Sequence, residues 1–339
     1  MKNSFQYLAY LSLILFFVSC EDTPESPIVL HGDAFGTTYS IQYYPKTSFD
    51  AEKGIDSVIY AVNKSVSTYL PNSDISKINA GDSSMVVDAI FKDVFLISEE
   101  VHKKSFGYFD PTVGVLRNAY GFGDAAPISE IDKATLDSLM KFVGFQKVKL
   151  LSDGRISKEH PEIYFDFNAV AKGYGIDLIG AYLQKNGVDN FLIELGGEIL
   201  ARGKNLSKNE SWVVGVESVD SDLQNRKITK ALHLKNKAMA SSGNYRKFRI
   251  DSVTGKKYVH TINPLSGSAM QSDVTSATVI ANSCALADAY ATAFMALGLE
   301  RSKEVLGSLP ELDAYLTYSD SIGTHQSFIT KGFSALLLD

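Results

Sequence analysis

The chain has 339 residues, 45% of them apolar and 11% aromatic, which is enough to bury a sizeable core. Its 33 Lys and Arg are scattered against 39 Asp and Glu, for a formal charge of −6, and leave no footprint for nucleic acid. Two cysteines are too few for a disulfide framework, and no run beyond the N-terminus is long and apolar enough to cross a bilayer.

Lys2 precedes an apolar run from Phe5 to Val18 that ends at Ser19-Cys20. The run falls short of the roughly 20 residues of a membrane span and has the n-region and h-region of an export signal. A small residue directly before Cys20 makes this end resemble a bacterial lipoprotein cleavage site. The resemblance implies a signal peptide over 1–19 and a lipid anchor on Cys20. That anchor holds the protein to a membrane of the cell envelope, facing the periplasm or the exterior. An ordinary signal peptide and an uncleaved anchor are the other readings. Residues 20–28, with EDTPESP, have the composition of a tether, so the folded part is expected at 29–339. Cys284, set among Ala and Leu, then has no partner and reads as a small apolar group.

The segment IVLHGDAFGTTYSIQYY alternates and predicts one or two strands. A helix is expected from Ser48 to Thr68, with Ile55, Val58, Ile59 and Val62 on one face. Val87 to Lys104 repeats that spacing at Ile90, Val94, Ile97 and Val101 and ends before Gly107. Ser129 to Phe142 is a third helix, opened by a Ser-x-x-Asp pattern. Strands then dominate: Gln146 to Leu151, Ile163 to Phe165, Asn190 to Leu195 and Ser211 to Glu217. More follow at Lys227 to Leu234, Tyr245 to Ile250, Lys257 to Ile262 and Thr275 to Ile280. Helices at Ala171 to Asn186 and Asn282 to Leu297 interrupt them. Early helices and late strands argue for an α+β fold in one catalytic domain, as a single body or as two lobes.

Asp288 and Thr292 lie four apart on the last of these helices, so a carboxylate and a hydroxyl share one face. Hard oxygens of this kind, completed by substrate phosphates, suit Mg²⁺ rather than zinc or copper. His260 ends a β-like run just before the Asn263-Pro264 turn. It is either a proton acceptor near neutrality or a structural bridge from strand to turn. Gly173 and Gly175 open a helix, where they serve an anion or allow close packing. Asp110, before Pro111, is a turn former or a ligand contact. The other histidines, His31, His102, His160, His233 and His325, lack partners at ligand spacing, which disfavours zinc. No GxxxxGK[ST] and no dinucleotide fingerprint occur, which excludes P-loop and Rossmann chemistry.

Four separated segments combine: Phe35-Gly36-Thr37-Thr38, Gly107 to Gly114, Asp166 to Gly175 with Gly196-Gly197-Glu198, and Ser241 to Tyr245 followed by His260 and the Asp288/Thr292 helix. In this order they resemble the ApbE family of FAD:protein FMN transferases, over nearly the whole chain from His31 to Phe333. The resemblance implies an α+β fold with a mostly antiparallel sheet and flanking helices. It also implies Mg²⁺-dependent transfer of FMN from FAD to a Thr or Ser hydroxyl of an exported acceptor protein, with AMP released. Flavin subunits of redox complexes are acceptors in the family.

Asp288, Thr292 and the Ala169 carbonyl are the implied metal ligands, with His260 and Asp288 as catalytic groups. Phe35, Tyr69, Tyr108, Phe109, Asp110, Asp166, Lys172 and Tyr258 are the implied flavin contacts. For Phe35, Tyr69 and Phe109 taken singly, core packing is the other reading. Lys172 stands where some relatives place an acid, Asn263 where many have Asp, and Ala291 lies in a stretch where some carry a second acid. Two further functions fit the same residues: hydrolysis of FAD to FMN and AMP, and binding of FAD without catalysis. Retention of Asp288, Thr292 and His260 together argues against the second.

Overall fold

The computed structural model describes residues 26–128, 130–218, 227–244, 248–250 and 255–338. The signal peptide, Cys20 and the first part of the tether lie outside the described residues, as do Ser129 and Tyr245. In chain order the strands are β1 (Ile28–Ala34), β2 (Thr37–Tyr43), β3 (Val148–Leu150), β4 (Ile156–Lys158), β5 (Phe191–Leu195), β6 (Glu198–Arg202) and β7 (Trp212–Glu217). They continue as β8 (Ile228–Leu234), β9 (Ala238–Gly243), β10 (Phe248–Ile250), β11 (Lys257–Val259), β12 (Val274–Ala281), β13 (Asp313–Ser319) and β14 (His325–Ile329). The first helices are α1 (Ala51–Val66), α2 (Asp74–Asn79), α3 (Ala89–Lys104), α4 (Gly114–Tyr120) and α5 (Lys133–Leu139). After them come α6 (Ala171–Lys185), α7 (Cys284–Leu297), α8 (Leu299–Ser308) and α9 (Lys331–Ser334).

Eight strands form one antiparallel sheet in the order β1-β2-β5-β6-β9-β12-β13-β14. Alternation sends successive side chains to opposite faces. Leu200, Ala240 and Val279 pack toward α6 and α7, and Ala314 toward α8. Ile199, Ala201, Met239 and Ile280 pack toward the β7–β8 hairpin, where Trp212 and Phe333 fill the layer. The fold is therefore α+β, as the sequence indicates.

Local chemistry explains most boundaries. Phe35 (φ 51) and Gly36 (φ 79) make the two-residue turn that matches strand twist in the β1–β2 hairpin. Asp88 opens α3 by accepting from the Phe91 N–H at 2.8 Å. Phe91, Val94, Phe95 and Val101 form its buried stripe, while Ile90 and Ile97 sit at the margin. The rings take the centre because Phe91 and Phe95 meet Phe165, Phe167 and Phe145. α3 closes with a Schellman pattern: Gly107 N–H donates to His102 O at 2.9 Å and Phe106 N–H to Lys103 O at 3.3 Å. The left-handed position of that motif, usually glycine, is Phe106 at φ 54. A side chain there costs roughly 1 kcal/mol.

Several expected boundaries change. α5 is capped by Asp132, which accepts from Thr135 N–H at 2.7 Å, and its last turn tightens over Met140–Phe142. β11 stops at Val259 rather than Ile262, and the chain then turns through Asn263, whose side chain accepts from Leu265 N–H at 3.0 Å. Ile163–Phe165 is not a strand. Only Tyr164 bridges, to Val113, and the Phe165 backbone finds its partners in one side chain. Asn79 Nδ2 donates to Phe165 O at 2.9 Å and Asn79 Oδ1 accepts from Phe165 N–H at 2.8 Å, as a neighbouring strand would. β4, β6, β9, β13, β14, α2, α4, α8 and α9 are not anticipated by the sequence. β9 (AMASSG) lacks β-branched residues and is a strand because β6 and β12 flank it.

Asn79→Ala is expected to leave the buried Phe165 backbone without either partner and to destabilise the fold by about 2–4 kcal/mol. A denaturant midpoint that does not move in this variant would rule out that role.

Candidate active site

α6 begins without a capping side chain, since Val170 at its N-cap offers none. Its Gly173 N–H donates instead to Asp288 Oδ2 of α7 at 3.1 Å. In return, Asp177 of α6 accepts from Cys284 N–H at 2.8 Å and Ala285 N–H at 2.9 Å, the first residues of α7. The two N-termini approach so closely that a Cβ on Gly173 would lie 2.4 Å from Cys284 O. A Cβ on Gly175 would lie 2.6 Å from the Phe35 ring. Close packing, not an incoming anion, is therefore what both glycines allow, and the Gly173 amide is already held by a carboxylate.

This junction sets Asp288 and Thr292 into the wall of a cavity of about 730 Å³. Tyr69, Tyr108, Phe109, Asp110, Asp166, Ala169, Lys172 and His260 line the same cavity. Phe35 and Tyr258 do not. Phe35 packs against α6, and the Tyr258 ring lies 5.1 Å from that of Tyr120 in a small cluster that also holds Val113, Phe122 and Ile262 of the cavity wall. Ala291 is fully buried in the core, so an acid at that position would meet apolar side chains rather than the cavity.

Charge in the cavity is unevenly matched. Lys172 Nζ lies 2.6 Å from Glu198 Oε2, and Glu198 follows the Gly196-Gly197 turn at the start of β6. Burial pushes Glu198 up to about 8 against the pull of Lys172. Burial raises Asp288 as well, with Lys172 and the Gly173 amide opposing it. Burial alone would lower the Lys172 ammonium, but the two carboxylates outweigh it and hold it above its ordinary value. One ammonium thus serves two buried carboxylates, and the surplus charge must be met by a proton or a cation.

Among the described residues no group of three or more His, Cys, Asp or Glu side chains gathers to hold a metal. The donors here are a carboxylate, the Thr292 hydroxyl, which is 3.3 Å from Ser242 Oγ, and the Ala169 segment. With the surplus carboxylate charge, this chemistry suits a hard divalent cation that keeps water and phosphate oxygens in its shell.

The other two carboxylates hold loops. Asp110 Oδ1 accepts from Thr112 N–H and Oγ1–H at 2.8 and 2.6 Å, and its Oδ2 accepts from Phe145 N–H at 2.9 Å. Of its two sequence readings, the turn former describes these bonds. Asp166 accepts from Asn168 N–H at 2.8 Å and pairs with Arg117, which also donates to Phe122 O at 2.6 Å. The Arg301 guanidinium sits 4.9 Å from the Tyr108 ring centre. Arg117 and Arg301 carry no motif in the sequence, and α4, which holds Arg117, is too short to announce itself. Glu198 had one signal, its place directly after two glycines. Cys284 is fully buried, and burial raises its thiol well above the usual value, which fits a packing role.

The chain matches the model of the ApbE family over residues 35–316. It is 31% identical to the FAD:protein FMN transferase of Vibrio cholerae across 88% of this chain and 90% of that one. With the FAD:protein FMN transferase of Haemophilus influenzae it shares 30% identity, over 99% and 97% of the two chains. The structure of the flavin transferase ApbE from Vibrio cholerae superimposes with a TM-score of 0.80 at 29% identity, covering 92% of this chain and 99% of that one. The ApbE protein of Thermotoga maritima has the same fold, with a TM-score of 0.80 at 22% identity over 92% and 100% of the chains. A family match running from the β1–β2 turn into β13, on a shared fold, makes this chain a member of the ApbE family.

Proposed function

We propose that this chain transfers the FMN half of FAD to a Thr or Ser hydroxyl of an acceptor protein and releases AMP. The observation that carries this reading is the cavity that gathers Asp288 and Thr292 of α7, Lys172 of α6 and His260 from three separate segments. Relatives named for the same reaction support it. In the reaction the acceptor oxygen bonds to the FMN phosphorus, the bond from that phosphorus to the AMP oxygen breaks, and the hydroxyl proton leaves. His260 accepts that proton. Lys172 sits where it can face phosphoryl oxygens while remaining paired with Glu198. Tyr69, Tyr108 and Phe109 offer flat surfaces to a flavin or adenine ring. Asp288, Thr292 and the Ala169 carbonyl are the residues to hold Mg²⁺, which when bound would offset phosphoryl charge and polarise phosphorus.

The same proposal places the enzyme on a membrane of the cell envelope through lipid on Cys20, with flavin subunits of redox complexes as acceptors. The sequence of the first 20 residues supports this location. Cys20→Ala should release the protein from membranes and leave the chemistry of the soluble chain unchanged. Continued membrane association would point to an uncleaved helix.

The direct test incubates the soluble chain with FAD, Mg²⁺ and a flavin-subunit domain bearing an exposed threonine, then measures the acceptor's intact mass. Addition of FMN is expected, with none in Asp288→Ala. His260→Ala should still bind FAD and transfer about 10²–10⁴-fold more slowly. Free FMN and AMP beside an unmodified acceptor would replace the transferase reading with hydrolysis.

Charge in the cavity gives a test independent of turnover. The folded chain holds a proton that the unfolded chain releases, so stability should fall as pH rises from about 4.5 to about 8. Glu198→Gln should flatten that slope in thermal melts. Mg²⁺ should raise the melting temperature more at the alkaline end than near about pH 5, and Asp288→Asn should lose the increment. An Mg²⁺ increment independent of pH would contradict the shared-charge account.

A further inference from the structure

A second groove, of about 500 Å³, opens beside the catalytic cavity. Its walls are the end of α3 with Phe106 and Gly107, the stretch from Met140 to Gln146, and the turn carrying Pro264 and Leu265. Asp110 and Pro264 line both spaces, so one thin wall separates them. The reaction described above leaves this groove without a task.

Phe106 is the informative residue. It occupies the left-handed position that closes α3, at φ 54, and is 53% exposed. Glycine would suit that backbone better, and a polar side chain would suit that surface better. Leu265 is 55% exposed, and its Cδ2 would lie 3.3 Å from a Cβ built on Gly107, the residue after Phe106, so both apolar side chains border the same groove. The turn beneath Leu265 is fixed rather than loose. Tyr120 Oη–H donates to Gly267 O at 3.0 Å, and Gly267 packs against Leu136 and Met140. An apolar lip held in place at some conformational expense is what a docking surface needs, because little ordering remains for the binding step.

We infer that this groove seats an extended stretch of the acceptor polypeptide beside the modified hydroxyl, with Phe106 and Leu265 gripping an apolar side chain. The inference rests on the transferase reading, which requires a protein chain to run out of the cavity over one of its walls. Pro264 forms that wall between His260 and the groove. Five residues take the chain from His260 to Leu265, a span of at most about 17 Å. An extended acceptor covers the same span in about five residues, so the gripped side chain lies within about five residues of the hydroxyl.

Phe106→Gly keeps the helix closure and relieves the backbone, so it should fold with an unchanged or higher melting temperature. Leu265→Ser is the second variant. Initial rates of FMN attachment to the same flavin-subunit domain, across acceptor concentrations, are expected to show an acceptor KM raised about tenfold or more in each. The kcat at saturating acceptor should stay within about twofold, and FAD affinity should not change. Unchanged acceptor KM in both variants overturns the inference, as does a weakened FAD affinity, which would give the groove to FAD. If the unsubstituted chain releases FMN and AMP and leaves the acceptor unmodified, the transferase reading fails first and the groove's assignment falls with it.

Discussion

The site depends on two helix N-termini that cap one another. Asp288 of α7 takes the Gly173 amide of α6, and Asp177 of α6 takes the Cys284 and Ala285 amides of α7. Each carboxylate gains from the positive end of a helix as well as from its hydrogen bonds. The exchange works only at a spacing that a side chain on Gly173 would forbid. It also fixes the direction of α7, and with it the face that turns Thr292 toward Ser242 and the cavity. α7 carries alanine at 285, 287, 289, 291 and 293, all buried, which lets its backbone lie close over β9 and β12.

Carboxylates around the cavity divide by what satisfies them. Asp110, Asp166 and Asp177 are met by backbone amides, a hydroxyl or Arg117, and they hold loops and helix starts. Burial raises Asp110, Asp177, Glu198 and Asp288 alike, and the last two differ in that they share one ammonium, Lys172. This second group leaves negative charge facing the cavity, and the first holds the surrounding loops and helix starts in place. The division follows burial and local partners, so residue type alone does not reveal it.

Much of this was legible in the sequence. The four-residue spacing of Asp288 and Thr292, the helical period of α3 and the ordered motifs led to the right family and to most of the cavity wall. What failed did so for identifiable physical reasons. Ile163 to Phe165 has strand-like residues, but Asn79 supplies the hydrogen bonds that a strand would have supplied. β9 has no strand-like residues and is a strand through its neighbours. The pairing of Lys172 with Glu198 joins two motifs whose contact depends on how β6 meets α6, which spacing does not encode.

The mutual capping also imposes an order of assembly. Gly173 and Asp288 are 115 positions apart, and Asp177 and Cys284 are 107 apart. A chain elongating from its N-terminus carries α6 through all of that length before the carboxylate that satisfies its first turn exists. Until then α6 has neither a cap nor its partner helix, and β6 has no β9 to pair with. Such long-range closure is entropically costly and slow, and it leaves an apolar helix face and a strand edge exposed meanwhile. The cavity needs both helices in place, so its occupancy reports on the docking of α7 against α6.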